Sequence, residues 1–151
     1  MKQWTSIDDV LDFAIQGEER AANFYQMLAE GAESGEMRAV FEGFAREEKG
    51  HQAKLLAIKQ GDMAVPPPHK IQDLKIGDYL VDVELDDELD YKDALTVAMK
   101  REKAAFRLYS DLAEAAEDGE IRQIFQALAQ EEAKHKLRFE IEYDDNVLIE
   151  N

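Results

Sequence analysis

The sequence predicts an all-α protein in which four helices form one bundle, built from two repeated helical hairpins joined by a long crossover connector. The chain matches itself without gaps at an offset of 84 residues, and residues 10–57 share 18 identities with residues 94–141 over 48 positions. Within each copy, apolar residues recur in alternating steps of four and three, the spacing of one buried stripe along an α-helix. Helices with one apolar stripe each can bury those stripes only against one another, which favours a bundle.

The first hairpin is predicted at residues 6–60. Ser6 is the expected N-cap of its first helix, with Asp9 three residues later in a variant of the capping box. Ser34 and Gly35 are expected to break this helix, and Ser34 can cap the next one. The stripe of this hairpin passes through Ile7, Leu11, Ala14, Glu18, Ala21, Tyr25, Leu28 and Ala32, and then through Met37, Phe41, Phe44, Glu48, His51, Leu55 and Ile58.

The second hairpin is predicted at residues 90–143 and repeats this scheme. Asp90 is the expected cap, with Asp93 three residues later, and Asp118-Gly119 marks the turn between the helices. A single domain over residues 1–151 is therefore expected. The stripe passes through Tyr91, Leu95, Ala98, Glu102, Ala105, Tyr109, Leu112 and Ala116, and then through Ile121, Phe125, Leu128, Glu132, His135 and Phe139.

Residues 61–89 form the predicted connector, and residues 144–151 form an acidic tail. Pro66-Pro67-Pro68 cannot continue a helix and favours extended backbone. The connector is long enough to cross the bundle, whose helices of 25 residues would be roughly 35–40 Å long. The third helix could then start at either end of the bundle. The tail is expected to dock on the bundle or on a neighbouring subunit, or to fray.

Composition and charge exclude several classes of function. The formal net charge of −16 argues against binding to nucleic acid or to anionic membranes. The absence of cysteine excludes disulfides, cysteine-ligated zinc, iron–sulfur clusters and thiol catalysis. The sequence has no run of about 18 apolar residues that could cross a membrane and no apolar targeting segment at its start. A cytoplasmic protein is expected.

Six polar residues interrupt the apolar stripes, and each histidine among them lies one helical turn after a glutamate, on the same face. Four carboxylates in a bundle interior are costly, because each buried charge loses its hydration and like charges repel. No Lys or Arg lies on the stripes to balance them, whereas two divalent cations would. The sequence therefore predicts a two-metal site. Its residues are Glu18, Glu48, His51, Glu102, Glu132 and His135.

The donor set favours iron or manganese. Oxygen donors alone would suit magnesium or calcium, and thiolates would suit zinc or copper, whereas carboxylates with one imidazole per metal suit iron or manganese. In a symmetric arrangement, Glu48 and Glu132 would bridge the two metals. In the same arrangement Glu18 would pair with His51, and Glu102 with His135. The spacing alone does not fix which terminal glutamate goes with which histidine.

Four further residues lie close to this set in the sequence. Glu47 and Glu131 fall off the stripes and are expected to be solvated surface residues. Tyr25 and Tyr109 follow Glu18 and Glu102 by two helical turns, and each is expected to be a core aromatic with a hydrogen-bonded hydroxyl. Such a hydroxyl could steady a ligand carboxylate. A direct redox role for the tyrosines is the less favoured alternative.

These motifs resemble those of the ferritin-like di-iron carboxylate proteins, most closely the rubrerythrin branch, over about residues 6–143. The resemblance implies a non-haem di-iron centre that reacts with hydrogen peroxide or dioxygen. Rubrerythrins typically reduce peroxide in the cytoplasm and are commonly homodimers. The motifs that carry the resemblance are Glu18-x-x-Ala21-x-x-x-Tyr25, Glu48-x-x-His51, Glu102-x-x-Ala105-x-x-x-Tyr109 and Glu132-x-x-His135.

The chain departs from the rubrerythrin pattern in two ways. Rubrerythrins usually carry a rubredoxin domain with four cysteines that delivers electrons, and this chain has no cysteine, so a reductase would need an external electron donor. Rubrerythrins also tend to have an extra glutamate one turn after the ligand of the third helix. Ala105 occupies that position here.

The resulting prediction is an oxidoreductase with two iron ions that reduces peroxide or dioxygen. One alternative is a ferroxidase or iron-handling protein like the ferritins, which would assemble into a cage. Another is a dimanganese enzyme like the manganese catalases, with the same ligand set. The last is an interaction module whose metal site is vestigial.

Overall fold

The structure is a computed structural model that describes residues 6–61, Leu74, Tyr79 and residues 90–145. Within these residues it contains four long helices and no strand, which confirms the prediction of an all-α four-helix bundle. The helices are α1 (Ile7–Gly31), α2 (Gly35–Gln60), α3 (Tyr91–Ala115) and α4 (Gly119–Tyr143). None of them carries an apolar stretch long enough to cross a lipid bilayer.

Each helix begins at a side-chain cap that the sequence marks. Ser6 and Ser34 accept hydrogen bonds from the backbone N–H three residues on, at 3.2 and 3.1 Å. Asp90 caps α3 in the same way at 2.7 Å. Asp118, predicted only as part of a turn, also caps a helix and accepts from two backbone N–H groups at the start of α4. These caps satisfy donors that the first helical turn leaves without partners.

The bundle consists of two helical hairpins. Helices α1 and α2 form the first, helices α3 and α4 form the second, and the two hairpins pack against each other. Helices α1 and α3 run antiparallel, since Tyr25 of α1 contacts Glu102 of α3 while Tyr109 of α3 contacts Glu18 of α1. The end of α2 and the start of α3 therefore lie at opposite ends of the bundle. The connector must cross its whole length, which settles where the third helix starts. Apart from Leu74 and Tyr79, the connector itself lies outside the described residues.

The core is divided along the bundle axis into two apolar clusters. One joins the start of α1 to the end of α2, the end of α3 and the start of α4, around residues such as Leu11, Leu112 and Phe125. The other fills the opposite end, around Phe41 and Phe139. Between them lies a layer of buried polar side chains. The apolar clusters fix the helices on both sides of that layer.

Tyr79 attaches the connector to the bundle. Its ring is buried in the first apolar cluster, and its hydroxyl donates a hydrogen bond to a carboxylate oxygen of Asp111 at 2.5 Å. A buried aromatic ring of this size contributes strongly to packing. The tail prediction falls mostly on residues 146–151, which lie outside the described residues.

Replacing Tyr79 tests this attachment. We expect Tyr79→Ala to lower the free energy of unfolding by about 3 kcal/mol, the cost of removing a buried aromatic ring. Tyr79→Phe loses only the hydroxyl contact and should cost about 1 kcal/mol. Urea-induced unfolding followed by circular dichroism measures both. Equal stability of the two variants would show that the ring does not hold the connector to the bundle.

Candidate metal centre

The polar layer brings together all six residues predicted for the metal site. Each helix of a hairpin contributes from its middle, because the glutamates and histidines occupy stripe positions midway between the two apolar clusters. All six side chains are deeply buried, between 1% and 3% exposed. They are Glu18 from α1, Glu48 and His51 from α2, Glu102 from α3, and Glu132 and His135 from α4.

The six residues form two overlapping groups. One group comprises Glu18, Glu48, His51 and Glu132, with one potential ligand atom from each residue, all within 4.8 Å of one another. In the other group, which has the same spacing, Glu102 and His135 replace Glu18 and His51. Glu48 and Glu132 therefore belong to both. This is the geometry in which those two carboxylates could bridge two ions, and it pairs Glu18 with His51 and Glu102 with His135.

Both histidines turn Nδ1 towards the centre of the layer. His51 Nδ1 lies 3.0 Å from Glu132 Oε1 and 3.5 Å from Glu18 Oε2. His135 Nδ1 lies 3.1 Å from Glu48 Oε1 and 3.6 Å from Glu102 Oε1. Each Nδ1 atom thus lies closest to the shared glutamate of the other hairpin. The two halves of the chain meet at the site itself.

The other ring nitrogen of each histidine contacts a glutamate that was predicted to be solvated. His51 Nε2 is hydrogen-bonded to Glu131, and His135 Nε2 to Glu47. The prediction of solvated side chains agrees with their exposure, which is 40% for Glu131 and 55% for Glu47, but it missed their contacts with the histidines. A carboxylate at Nε2 favours the tautomer with hydrogen on Nε2, which leaves the Nδ1 lone pair facing inwards.

The two tyrosines also cross between hairpins. Tyr25 donates its hydroxyl hydrogen to Glu102, and Tyr109 donates to Glu18. Burial, followed by the charge of the carboxylate that each contacts, raises the pKa of both phenols well above the ordinary value, so both stay protonated and act as donors. Each tyrosine thus holds one oxygen of a carboxylate from the opposite repeat and leaves the second oxygen to the centre.

Burial changes the proton affinity of the carboxylates. Burial raises the pKa of Glu48 well above its ordinary value, and the charges of Glu102, Glu132 and Glu18 raise it further. The pKa of Glu132 is raised for the same reasons, burial first and the neighbouring carboxylates next. For Glu18, burial would raise the pKa, but close polar contacts with Glu48 and His51 outweigh it and lower the pKa. Without a cation, the two shared carboxylates therefore bind protons more readily than exposed glutamates do.

The imidazoles also bind protons more readily than a free histidine does. Burial would lower the pKa of His135, but the contacts and charges of Glu102 and Glu48 raise it to about 10. For His51, burial would likewise lower the pKa, and the contact with Glu18 is the largest of the effects that raise it. In the metal-free protein, protons thus offset part of the negative charge of the layer. A metal ion that used these same atoms would have to displace them.

The chemistry of the donor set fits two divalent cations. Each of the six residues has one buried nitrogen or oxygen atom without a hydrogen-bond partner, and these atoms point to the centre of the layer. Buried polar atoms are normally paired, so six orphaned ones in one layer indicate an absent partner. The atoms are Glu18 Oε2, Glu48 Oε1, His51 Nδ1, Glu102 Oε2, Glu132 Oε1 and His135 Nδ1.

A cavity of about 320 Å³ lies between α1 and α3 and reaches this layer. The four glutamates of the cluster form part of its lining, and Ala105 forms part of its wall. Because the Ala105 side chain is small, space remains beside the carboxylates on this side.

Comparisons with known proteins agree with this architecture. The family model described as Rubrerythrin matches residues 9–143, which include both hairpins. A solved structure of a hypothetical protein from Pyrococcus furiosus is similar, with a TM-score of 0.70 and 26% sequence identity, over 92% of this chain and 89% of that chain. No curated protein matches the chain.

Replacing the two shared glutamates tests how much the polar layer destabilises the metal-free fold. We expect Glu48→Leu with Glu132→Leu to raise the free energy of unfolding of the metal-free protein by about 1–4 kcal/mol, because apolar side chains of similar size replace buried carboxyl groups that lie beside other carboxylates. The matched Glu48→Gln with Glu132→Gln variant keeps polar groups buried and should gain less. Urea-induced unfolding in the presence of a chelator measures both. A leucine variant less stable than the wild type would show that the glutamates stabilise the metal-free fold.

Proposed function

The chain belongs to the rubrerythrin family of ferritin-like di-iron proteins, as its motifs predicted, and we propose that its buried layer binds two iron ions and reduces hydrogen peroxide or dioxygen. The observation that carries this proposal is the pair of overlapping ligand groups that share Glu48 and Glu132. Two ions sharing two carboxylates can deliver two electrons to one substrate, and two electrons are what the reduction of peroxide to water requires. The family match supports the same reading.

In this proposal the ligand roles follow from the atoms that face the centre. Glu48 and Glu132 would bridge, and the Nδ1 atoms of the histidines would each serve one ion. The terminal carboxylates would be Glu18, beside His51, and Glu102, beside His135. Four carboxylates and two neutral imidazoles would then leave the loaded site electrically neutral. The bound iron would supply reversible one-electron oxidation at each ion.

The surrounding residues would hold these ligands in place. Tyr25 and Tyr109 restrain the terminal carboxylates through hydrogen bonds, and Glu47 and Glu131 restrain the imidazoles through Nε2. Such outer contacts fix the orientation and basicity of metal ligands. The cavity between α1 and α3 gives peroxide or dioxygen a route to the site.

The proposal also covers the electron donor, the oligomeric state and the alternative metal. The chain has no cysteine to build a rubredoxin-type electron-transfer site, so we propose that a separate protein supplies the electrons. A cytoplasmic homodimer is the proposed form, by analogy with the family. Manganese is the proposed alternative metal, because the same oxygen and nitrogen donors suit it.

Metal loading and peroxide reactivity test the proposal. Protein loaded anaerobically with ferrous iron should hold two ions per chain, and its absorption spectrum should change when peroxide is added. Glu102→Gln should lose metal, because it removes a ligand charge from a buried site, whereas Glu114→Gln, an exposed glutamate on the same helix, should behave as the wild type. Metal analysis and stopped-flow absorbance provide the measurements.

Several outcomes would contradict this proposal. Substoichiometric iron after careful loading, or a ferrous protein whose spectrum peroxide and dioxygen leave unchanged, would exclude the di-iron oxidoreductase. Elution far above a dimer in size-exclusion chromatography, together with accumulation of ferric iron, would favour iron storage. Dioxygen release from peroxide by the manganese-loaded protein alone would favour a dimanganese enzyme.

Metal binding should release protons and become tighter as the pH rises. In the metal-free protein the pKa values of Glu48, Glu132, His51 and His135 are raised, so protons compete with a cation for these groups. Raising the pH removes those protons and should increase the apparent affinity. Calorimetry in buffers of different ionisation enthalpy gives the number of protons released. An affinity that stays constant from about pH 6 to about pH 8 would argue against binding at this layer, because competition with protons makes the affinity depend on pH.

A further inference from the structure

The cavity between α1 and α3 carries two arginines that lack acidic partners among the described residues. Arg20 and Arg101 both line it, and neither makes an ion pair with any described residue. The residues three and four positions away on the same helix are uncharged on both sides of each arginine. Two other cations of the described bundle are paired at this spacing, Arg38 with Glu42 and Lys136 with Glu140.

Burial distinguishes Arg101 from the other cations. Among the described Lys and Arg side chains, Arg101 alone has a buried nitrogen atom without a hydrogen-bond partner. A buried donor of this kind is normally paired. An anionic ligand held in the cavity would supply the partner.

The guanidinium group of Arg101 offers hydrogen-bond donors to this cavity. Its Nη2 donates to the backbone carbonyl of Gly17 across the cavity, and its Nε is buried without a hydrogen-bond partner. Gly17 is the position that matches Arg101 in the internal repeat, so an arginine in one copy reaches towards the glycine of the other. This is a break in the pseudo-symmetry of the site. It gives one face of the site a guanidinium group.

We propose that this cavity is a binding site for a small organic carboxylate, with the carboxylate on Arg101 and Arg20 and an apolar body against Phe13, Ala105 and Leu108. The cavity volume of about 320 Å³ lies in the range of small-molecule sites and far exceeds the space that peroxide needs. Apolar side chains form much of its wall, which an inorganic oxyanion would not use. The ligand class thus combines one negative charge with a compact apolar group.

The charge of the neighbouring layer governs when such a ligand can bind. Four glutamates of the layer line the same cavity, and in the metal-free protein protons offset only part of their negative charge, so the remaining charge opposes an anion. Two bound divalent cations would neutralise them and leave the arginines as the net charge that the ligand meets. In this respect the inference rests on the proposed metal centre, and it adds an organic ligand beside the metals.

Binding of benzoate to zinc-loaded full-length protein tests the inference without any redox step. Isothermal calorimetry should detect benzoate binding, and benzamide, its neutral counterpart, should bind at least about tenfold more weakly because a charge-assisted hydrogen bond is lost. Acetate, which keeps the charge but lacks the ring, should also bind more weakly. Metal-free protein should bind benzoate less tightly than zinc-loaded protein.

Variants assign the binding to the arginine. Arg101→Leu should weaken benzoate binding by about tenfold or more, for the same reason. Arg101→Lys, which retains the charge but not the guanidinium fork, should fall between it and the wild type. Lys103→Leu removes the same charge from an exposed position on the same helix and should leave binding unchanged. Circular dichroism and zinc stoichiometry, measured for each variant, show whether the bundle is intact.

The results separate this inference from the proposed function. If zinc binds at two ions per chain but benzoate does not bind, or binds equally to wild type and Arg101→Leu, the inference is wrong and the metal centre stands. Equal binding of acetate and benzoate would overturn the apolar part of the ligand class. If zinc does not bind, the proposed metal centre fails, and comparison of benzoate binding to metal-free wild type and Arg101→Leu still decides whether the cavity takes a carboxylate.

Discussion

The structure depends on one constraint, the burial of four carboxylates in the middle of an apolar bundle. The charges would repel one another and lose their hydration, and neither apolar cluster can compensate them. The metal-free chain meets part of this cost with protons on the shared glutamates and on the imidazoles. Divalent cations would meet it more completely, because they neutralise the charge and also supply partners for six orphaned atoms. The other residues of the polar layer hold these six atoms in positions where cations could replace the protons.

The internal repeat provides this support by exchanging contacts between its two copies. Each histidine is held by a glutamate of the other hairpin, and each terminal carboxylate by a tyrosine of the other hairpin. One hairpin alone would therefore present ligands whose orientation is not fixed. The antiparallel arrangement of α1 and α3 makes these exchanges reciprocal. Gly17 and Arg101 occupy matching positions of the repeat but differ, so the cavity beside the site carries a guanidinium group from this position of α3 and has no counterpart of it at the matching position of α1.

Much of this could be predicted from the sequence, because helical periodicity assigns a side chain to a face of its own helix. The stripe correctly placed Glu18, Glu48, Glu102 and Glu132 in the interior, and the serine and aspartate caps marked the helix starts. The same rule placed Glu47 at the surface, where it lies, but missed its contact with His135, because a residue off the stripe of its own helix can still reach a histidine on a neighbouring one. Its recurrence at the matching position of the repeat, as Glu131, was the available signal.

The sequence by itself determined the four helices, their buried faces and the six polar residues that those faces carry, since these follow from local spacing within each helix. The tertiary structure decided which residues meet. It paired Glu18 with His51 and Glu102 with His135, gave Tyr25 a partner in α3 rather than in its own helix, and placed the start of α3 at the far end of the bundle. Periodicity fixes a side chain relative to its own axis, but the direction, rotation and offset of neighbouring helices are set only when their apolar surfaces pack together.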